Sequence, residues 1–321
     1  LLNRTKDIVI EDFRALLPTF IQLVIKEAVS PNKSLIMMSI RSCSLRAVLF
    51  VLLSGTVCLN TTAGPGISRN CLRSDGHSLF HPAAPKQEFF EIKVYQLKSK
   101  EQEDRVDRFL QAAFLPALHR SGIRQVGVFK PVGNDTAQTR RIYVLIPFHS
   151  LDQFTTLPGV LEKDAQFHQD GKDYLDAAYN DPAFVRMESI LLQAFPGMPR
   201  LEAPVVLKTA PSEKVYELRS YEGATESLFR NKVQMFNQGD EIGLFKRLGF
   251  NAVFYASVIS GSHMPNLMYM TSFENMASRE AHWKAFGADP VWKALSASPQ
   301  YQHNVSHIDI VFLHPAEYSD L

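Results

Sequence analysis

From residue 89 onward, short runs of alternating hydrophobic and polar residues are separated by longer stretches with helical spacing. Val215–Tyr221 alternates and predicts a strand. Thr225–Leu248 carries Leu228, Val233, Phe236, Ile242, Phe245 and Leu248 at broadly helical spacing, and Gly249 is placed to end that helix in a left-handed conformation. Asn251–Ile259, rich in Val, Phe and Tyr, and Leu267–Phe273 flank the turn Gly261–Pro265 and predict a hairpin. Asn275–Leu295 predicts a second helical region and Val305–Leu313 a last strand. The same order precedes it: Phe89–Leu97, Glu103–Arg120, Ile123–Lys130, Arg141–Phe148, Leu151–Tyr179 and Val185–Phe195.

The two series are copies of one unit. Phe89-Phe90-Glu91-Ile92-Lys93-Val94-Tyr95 matches Val215-Tyr216-Glu217-Leu218-Arg219-Ser220-Tyr221, with Glu, a cation and Tyr at the same alternate positions. The tyrosines differ by 126 (221 − 95), Gly122 and Gly249 by 127 (249 − 122), and Phe148 and Phe273 by 125 (273 − 148). Asp181-Pro182-Ala183-Phe184 resembles Ser298-Pro299-Gln300-Tyr301 at a smaller shift.

The order βαββαβ is the ferredoxin-like arrangement, a four-stranded antiparallel sheet with both helices on one face. Its other face must be buried, and two tandem copies can bury both by packing sheet against sheet. The expected fold is therefore α+β: two tandem ferredoxin-like (βαββαβ) repeats, residues 88–205 and 213–321, packed as a pseudo-dimeric α+β barrel. A homodimer through the sheet edges is the alternative assembly.

The first 88 residues have a different character. Met37-Met38 is followed by Arg41 and Arg46, the apolar run Ala47–Leu53, and small and polar residues up to Thr61-Thr62-Ala63. Cationic start, short apolar core and small-residue exit outline a secretory signal peptide, too short for a membrane span. We read residues 1–37 as an upstream extension, against the alternative of an amphipathic helix around Phe13–Val29. Residues 38–63 read as the signal and 64–87 as a Gly- and Pro-punctuated linker. Of three cysteines only Cys71 would remain after cleavage, which makes neither an internal disulfide nor a metal site. The expected location is secreted or periplasmic, with no stable membrane anchor after signal cleavage.

Composition narrows the partners. A net charge of +1 and the lack of a dense Lys/Arg cluster leave no field to draw nucleic acid. HExxH, paired CxxC, Walker A and GxGxxG patterns are missing, and Gly261-Ser262-His263-Met264 lacks the Gly that a nucleophile elbow needs. His168 with Asp164 or Asp170 has no third ligand close in sequence, so neither metal nor cofactor is expected.

Candidate chemistry comes from strand alternation. Glu91, Lys93 and Tyr95 share a face, as do Glu217, Arg219 and Tyr221, while Ile92, Val94 and Leu218 share the opposite face and should pack on the helices. The polar stripe should then point between the sheets. It reads either as ion pairs fixing how the sheets meet or as a ligand chamber. In a chamber Arg219 would hold a carboxylate, Glu217 would pair with it, and Tyr95 and Tyr221 would orient an aromatic or quinone-like ring. His307 and Asp309 share a face of the last strand and could form a general base with its orienting carboxylate. Their spacing, roughly 7 Å along a strand, is long for a direct hydrogen bond. His282, Trp283, Phe286 and Trp292 read as packing or as pocket lining, and His263 and His303 as solvated turn residues.

The strand Tyr216-Glu217-Leu218-Arg219-Ser220-Tyr221 resembles the opening of the NIPSNAP domain. So does Arg279-Glu280-Ala281-His282-Trp283-Lys284-Ala285-Phe286 with Asp289-Pro290-Val291-Trp292. The first repeat, through Arg186-Met187-Glu188-Ser189-Ile190-Leu191-Leu192, is similar to the first copy in exported two-repeat bacterial members. It departs from the pattern in having Phe167 and Tyr174 where the Trp pair would stand. The resemblance implies a fold like the dimeric α+β barrels, which include cofactor-free oxygenases, haem-degrading enzymes and stress-response binding proteins. It implies no single reaction. The expectation is an exported tandem NIPSNAP-type protein that binds a small aromatic molecule or a partner through an inter-sheet chamber. The alternative is a cofactor-free oxygenase or isomerase acting on a planar aromatic or quinone-like substrate.

Overall fold

A computed structural model describes residues 86–204 and 207–321. The expected extension, signal peptide, Cys71 and almost all of the linker lie outside the described residues.

The first repeat runs β1 (Phe89–Leu97), α1 (Lys100–Phe109), a π turn (Leu110–Phe114), α2 (Leu115–Arg120), β2 (Gly127–Pro131), β3 (Arg140–Phe148), α3 (Leu151–Leu161), α4 (Ala165–Asp170), α5 (Lys172–Leu175) and β4 (Arg186–Ala194). The second runs β5 (Val215–Glu222), α6 (Glu226–Asn237), α7 (Glu241–Arg247), β6 (Asn251–Ser260), β7 (Asn266–Phe273), α8 (Met276–Ala288), α9 (Pro290–Ala297) and β8 (His307–Pro315). Capping follows the repeat. Ser99 and Thr225 accept from the backbone N–H three residues on, at Gln102 and Leu228, and Ser150 and Asn275 do the same for α3 and α8. Gly122 (φ 86°) and Gly249 (φ 76°) are the left-handed residues after α2 and α7.

Three expected helices are broken. Thr225–Leu248 divides at Gly239-Asp240, where Asp240 takes φ 60°. Asn275–Leu295 divides at Asp289, held extended before Pro290 while its side chain caps α9 through the Val291 N–H. Leu151–Tyr179 is three short helices. The strand expected from Ile123 begins at Gly127.

All eight strands close into one antiparallel barrel in the order β1-β3-β2-β8-β5-β7-β6-β4. Each repeat contributes a four-stranded sheet, and the seams β2–β8 and β4–β6 join the repeats within one chain. The lumen is filled by Phe90, Ile92, Phe129, Leu145, Leu192, Tyr216, Leu218, Phe254, Met270 and Leu313, drawn from both repeats. Phe90 meets Phe254 at 5.3 Å and Phe129 meets Tyr216 at 4.8 Å between ring centroids, both across the repeat boundary. An eight-stranded barrel is just wide enough for side chains to fill it. Burial there pushes the Tyr216 hydroxyl up to about 12.

This assignment of faces reverses the expectation. Ile92, Val94 and Leu218 line the lumen instead of packing on the helices. Tyr95 and Tyr221 belong to the two outer clusters between sheet and helices, and Glu217, Arg219 and Tyr221 meet side chains of α8 and β7 there. Among the described residues no polar chamber lies between the sheets, and the polar stripe lies under the helical layers. A lumen of that width has no room to solvate long ionised side chains, whereas a helix layer presents partners and an outlet to water.

Candidate functional site

β5 presents Glu217, Arg219 and Tyr221 to the helices of the second repeat. The Glu217 carboxylate is fully buried. Its Oε1 accepts from Arg219 Nε (2.7 Å) and Arg279 Nη2 (2.9 Å), and its Oε2 from Arg279 Nε (3.0 Å) and Trp283 Nε1 (2.7 Å). Burial alone would raise its pKa, but hydrogen bonding from Arg279, the Arg219 charge and the Trp283 indole outweigh burial and lower it. Glu217 is thus a permanent anion that fixes two arginines.

Arg219 lies flat over Trp283, with its guanidinium carbon 3.8 Å from the ring centroid. Its Nη1 donates to the Tyr221 hydroxyl (3.1 Å), which is 2.8 Å from the Tyr269 hydroxyl of β7. Burial pushes the Tyr221 hydroxyl up, against Arg219, and burial likewise holds Tyr269 well above the ordinary phenol range. Both are neutral phenols at physiological pH, so neither is a tyrosinate base. A guanidinium has more N–H groups than these partners use. Nη2 also lies 2.6 Å from Glu217 Oε1, which leaves two of the five N–H groups, one on Nη1 and one on Nη2, without a partner among the described residues.

Arg219 and Tyr221 border an open cleft of about 620 Å³ between the outer face of the sheet, α6, the α8–α9 corner and the 301–305 segment. Trp283, Trp292 and Phe286 form one wall, with Phe286 and Trp292 in contact at 4.4 Å. Lys232 of α6 and Glu241 of α7 lie at the back, both buried and 2.8 Å apart. The Lys232 ammonium sits over the rings of Phe236 (4.8 Å), Tyr221 (5.6 Å) and Trp292 (5.8 Å). Burial raises the Glu241 carboxyl above its ordinary value despite Lys232. Counting Glu217, Arg219, Arg279, Lys232 and Glu241 as ionised, the site carries one excess positive charge.

In the first repeat the position equivalent to Tyr221, Tyr95, is buried under aromatic rings. Tyr174 and Phe184 cover that residue, at 6.4 and 5.7 Å between centroids, and Tyr174 stacks on Phe109 at 3.8 Å. At the glycine offset, Phe114 stands where Glu241 stands, and counted from the equivalent caps Ser99 and Thr225 (225 − 99 = 126) the buried Val106 stands where Lys232 stands. The neighbouring Arg105 pairs outward with Asp181 at 2.8 Å, beside a surface hollow. Glu91 is buried and bonded to Ser189 (2.6 Å), with Lys93 at 3.2 Å.

Of the residues singled out in the sequence, Glu217, Arg219 and Tyr221 converge, whereas Tyr95 lies in the other repeat beneath its own aromatic cover. His307 and Asp309 do meet, at 3.0 Å between Nε2 and Oδ1, closer than strand spacing suggests because the two side chains lean together. They share the β8 face of Val311 and Leu313, which line the lumen, while Ile308 on the opposite face borders the cleft. Lys232, Glu241 and Arg279 escaped the sequence reading. A lysine four residues before Phe236, within an apolar helical stripe, was the available signal for the first of them.

Residues 216–320 match the model of the NIPSNAP family, so the second repeat carries a NIPSNAP domain. No curated protein shows a significant match to the chain. Among solved structures, a candidate monooxygenase from Fusobacterium nucleatum is similar over 72% of this chain and 93% of its own, at 7% identity and a TM-score of 0.48. An uncharacterized NIPSNAP-like domain protein from Burkholderia xenovorans is similar over 33% of this chain and 89% of its own, at 17% identity and a TM-score of 0.31. A NIPSNAP family protein from Agrobacterium tumefaciens is similar over 34% of this chain and 98% of its own, at 16% identity and a TM-score of 0.30.

Proposed function

We propose that the second repeat binds a compact, planar molecule with a polar edge, an aromatic carboxylate or a quinone-like compound, in the cleft over Arg219. The carrying observation is Arg219, which lines the cleft, is fixed by Glu217 and Trp283, and uses only three of its five N–H groups on partners among the described residues. Its planar fork suits a carboxylate or a pair of ring oxygens. The tryptophan wall suits an aromatic ring, and the excess positive charge suits an anion.

The buried Lys232–Glu241 pair supports the same reading. A buried ion pair is weak evidence for stability, because desolvation offsets much of the attraction. The first repeat does without it, placing Phe114 at the Glu241 position and closing its own cleft with Tyr174. Polar groups kept at the back of an open cleft fit a ligand with a polar edge.

A second reading rests on Glu241. A buried carboxyl with raised proton affinity at a cleft wall is suited to take a proton from a bound phenol or enol, as an isomerase or a cofactor-free oxygenase would require. Recovery of the ligand unchanged after long incubation with the protein would count against it.

The export reading of residues 38–63 belongs to this proposal, in which the protein works outside the cytoplasm. An N-terminal sequence of the native protein beginning at residue 64 would support it, and one beginning upstream of Met37 would oppose it.

The chain has two tryptophans, and both line the cleft. Their emission should change saturably on titration with benzoate, salicylate or 1,4-naphthoquinone. Arg219→Lys, which keeps the charge opposite Glu217 but loses the fork, should weaken the response by about tenfold or more. A folded protein whose emission ignores all three compounds up to millimolar concentration would overturn the reading. So would a response untouched by Arg219→Lys.

A further inference from the structure

A second cluster lies apart from the cleft, on the lumen-side face of the strands at one mouth of the barrel. Glu222 ends β5, His263 lies in the β6–β7 turn, and His307 and Asp309 open β8. One ligand atom from each of Glu222, His263 and Asp309 lies within 4.8 Å of the others. His307 Nε2 is 3.0 Å from Asp309 Oδ1, and His263 Nδ1 is 2.9 Å from Glu222 Oε1.

The strands hold these positions in register. Glu222 is opposite Asn266 on one side and His307 on the other, and Ser220 is opposite Asp309. Gly223 N donates to Pro265 O, and Ser306 N and Oγ both donate to Glu222 O. The three segments supplying the four side chains are therefore tied to one another by backbone hydrogen bonds.

The charges do not balance. Neither Glu222 nor Asp309 has a Lys or Arg within ion-pair distance among the described residues, and each has only an imidazole beside it. Moreover, Glu222 Oε1 is buried and receives no hydrogen bond, because the His263 ring is poorly aligned with it. A buried carboxylate oxygen without a donor is costly, and a cation between the two imidazole–carboxylate pairs would satisfy it.

We propose that Glu222, His263, His307 and Asp309 form a binding site for one divalent first-row transition ion. Two imidazoles with two carboxylates make a donor set of borderline character, suited to zinc and its neighbours and not to magnesium or calcium. Metal–ligand bonds of about 2.0–2.2 Å would draw Glu222, His263 and Asp309 together by roughly an ångström, and His307 would turn from Asp309 onto the ion as the fourth donor. The exposed side chains of His263, His307 and Asp309 can make that movement by rotation, around Glu222 as the anchored member.

The full-length protein, stripped with EDTA, would be titrated calorimetrically with Zn²⁺, and its Co²⁺ form examined by visible absorption. One equivalent should bind, millimolar Mg²⁺ or Ca²⁺ should not compete, and Co²⁺ should give the strong bands of a four-coordinate site. His263→Asn suits the left-handed backbone at that position (φ 63°), and His307→Gln is also conservative. Each should weaken Zn²⁺ binding by about tenfold or more. Glu222→Gln/Asp309→Asn should abolish the Co²⁺ bands while circular dichroism stays unchanged. No uptake by the folded wild-type protein would overturn the assignment. Uptake that persists undiminished in the double variant would also do so, placing the metal elsewhere in the chain.

Discussion

The guanidinium of Arg219 stacks on the Trp283 indole at 3.8 Å while both residues donate hydrogen bonds to the same buried carboxylate, Glu217. Three residues from a strand and a helix thus behave as one unit. Arg219 is held in place by contacts that leave part of its fork free, which is how a strand residue becomes a preorganised anion contact.

Removing the anion should be costly. Glu217→Ala leaves the buried Arg219 beside the half-buried Arg279 without their shared anion, and such broken pairs cost about 3–5 kcal/mol. Urea denaturation of the variant should show a loss of that order. Glu217→Gln, which still accepts a hydrogen bond from Trp283, should lose less.

The same carboxylate sets part of the acid response. Its folded-state pKa lies below the ordinary glutamate value, so the unfolded chain takes up its proton more readily. The stability it contributes is complete above the unfolded value of about 4.3 and is lost as pH falls through the lower folded value. Melting temperatures measured between pH 6 and 3 should fall less steeply for Glu217→Gln than for wild type.

Lys232 and Glu241 should couple strongly. Lys232→Met and Glu241→Leu each leave a buried group without its partner, at a cost of about 3–5 kcal/mol. The double variant Lys232→Met/Glu241→Leu, closer to the apolar choice that the first repeat makes with Phe114, should recover most of that loss. A double-mutant cycle by chemical denaturation reads the coupling; additive losses would show that the pair does not act as a unit.

The two repeats should unfold together. Both barrel seams and the lumen are shared, and Phe90 and Tyr216 each pack on a ring from the other repeat. Phe90→Ala should destabilise the protein by about 3–5 kcal/mol and still give one cooperative transition by calorimetry. Two separated transitions would show that the repeats are stable independently.

The element order was legible in the sequence because strand alternation, helical spacing and turn glycines are local signals, and here each occurs twice. Phe89–Leu97 was bounded to the residue. Helix breaks were less visible: Asp240 bends the chain through its backbone conformation, and Asp289 acts as a cap where hydrophobic spacing runs on. Glu217, Arg219 and Tyr221 were identifiable as one face, but Lys232, Glu241 and Arg279 come from three separate helices, and nothing local announces that they converge.

The sequence by itself determined that the chain holds two copies of a βαββαβ unit and that each first strand has a polar and an apolar face. It could not determine which face looks inward, since alternation has the same period whichever way the strand is turned and both faces of β5 are buried. Only barrel closure decided it. Eight strands leave a lumen that apolar side chains fill, so the apolar face turned inward and the ionised one turned to helices that supply arginines, an indole and an opening to water. The same closure brought Glu222, His263, His307 and Asp309 to one rim, a meeting of three segments that exists only once the strands are in register.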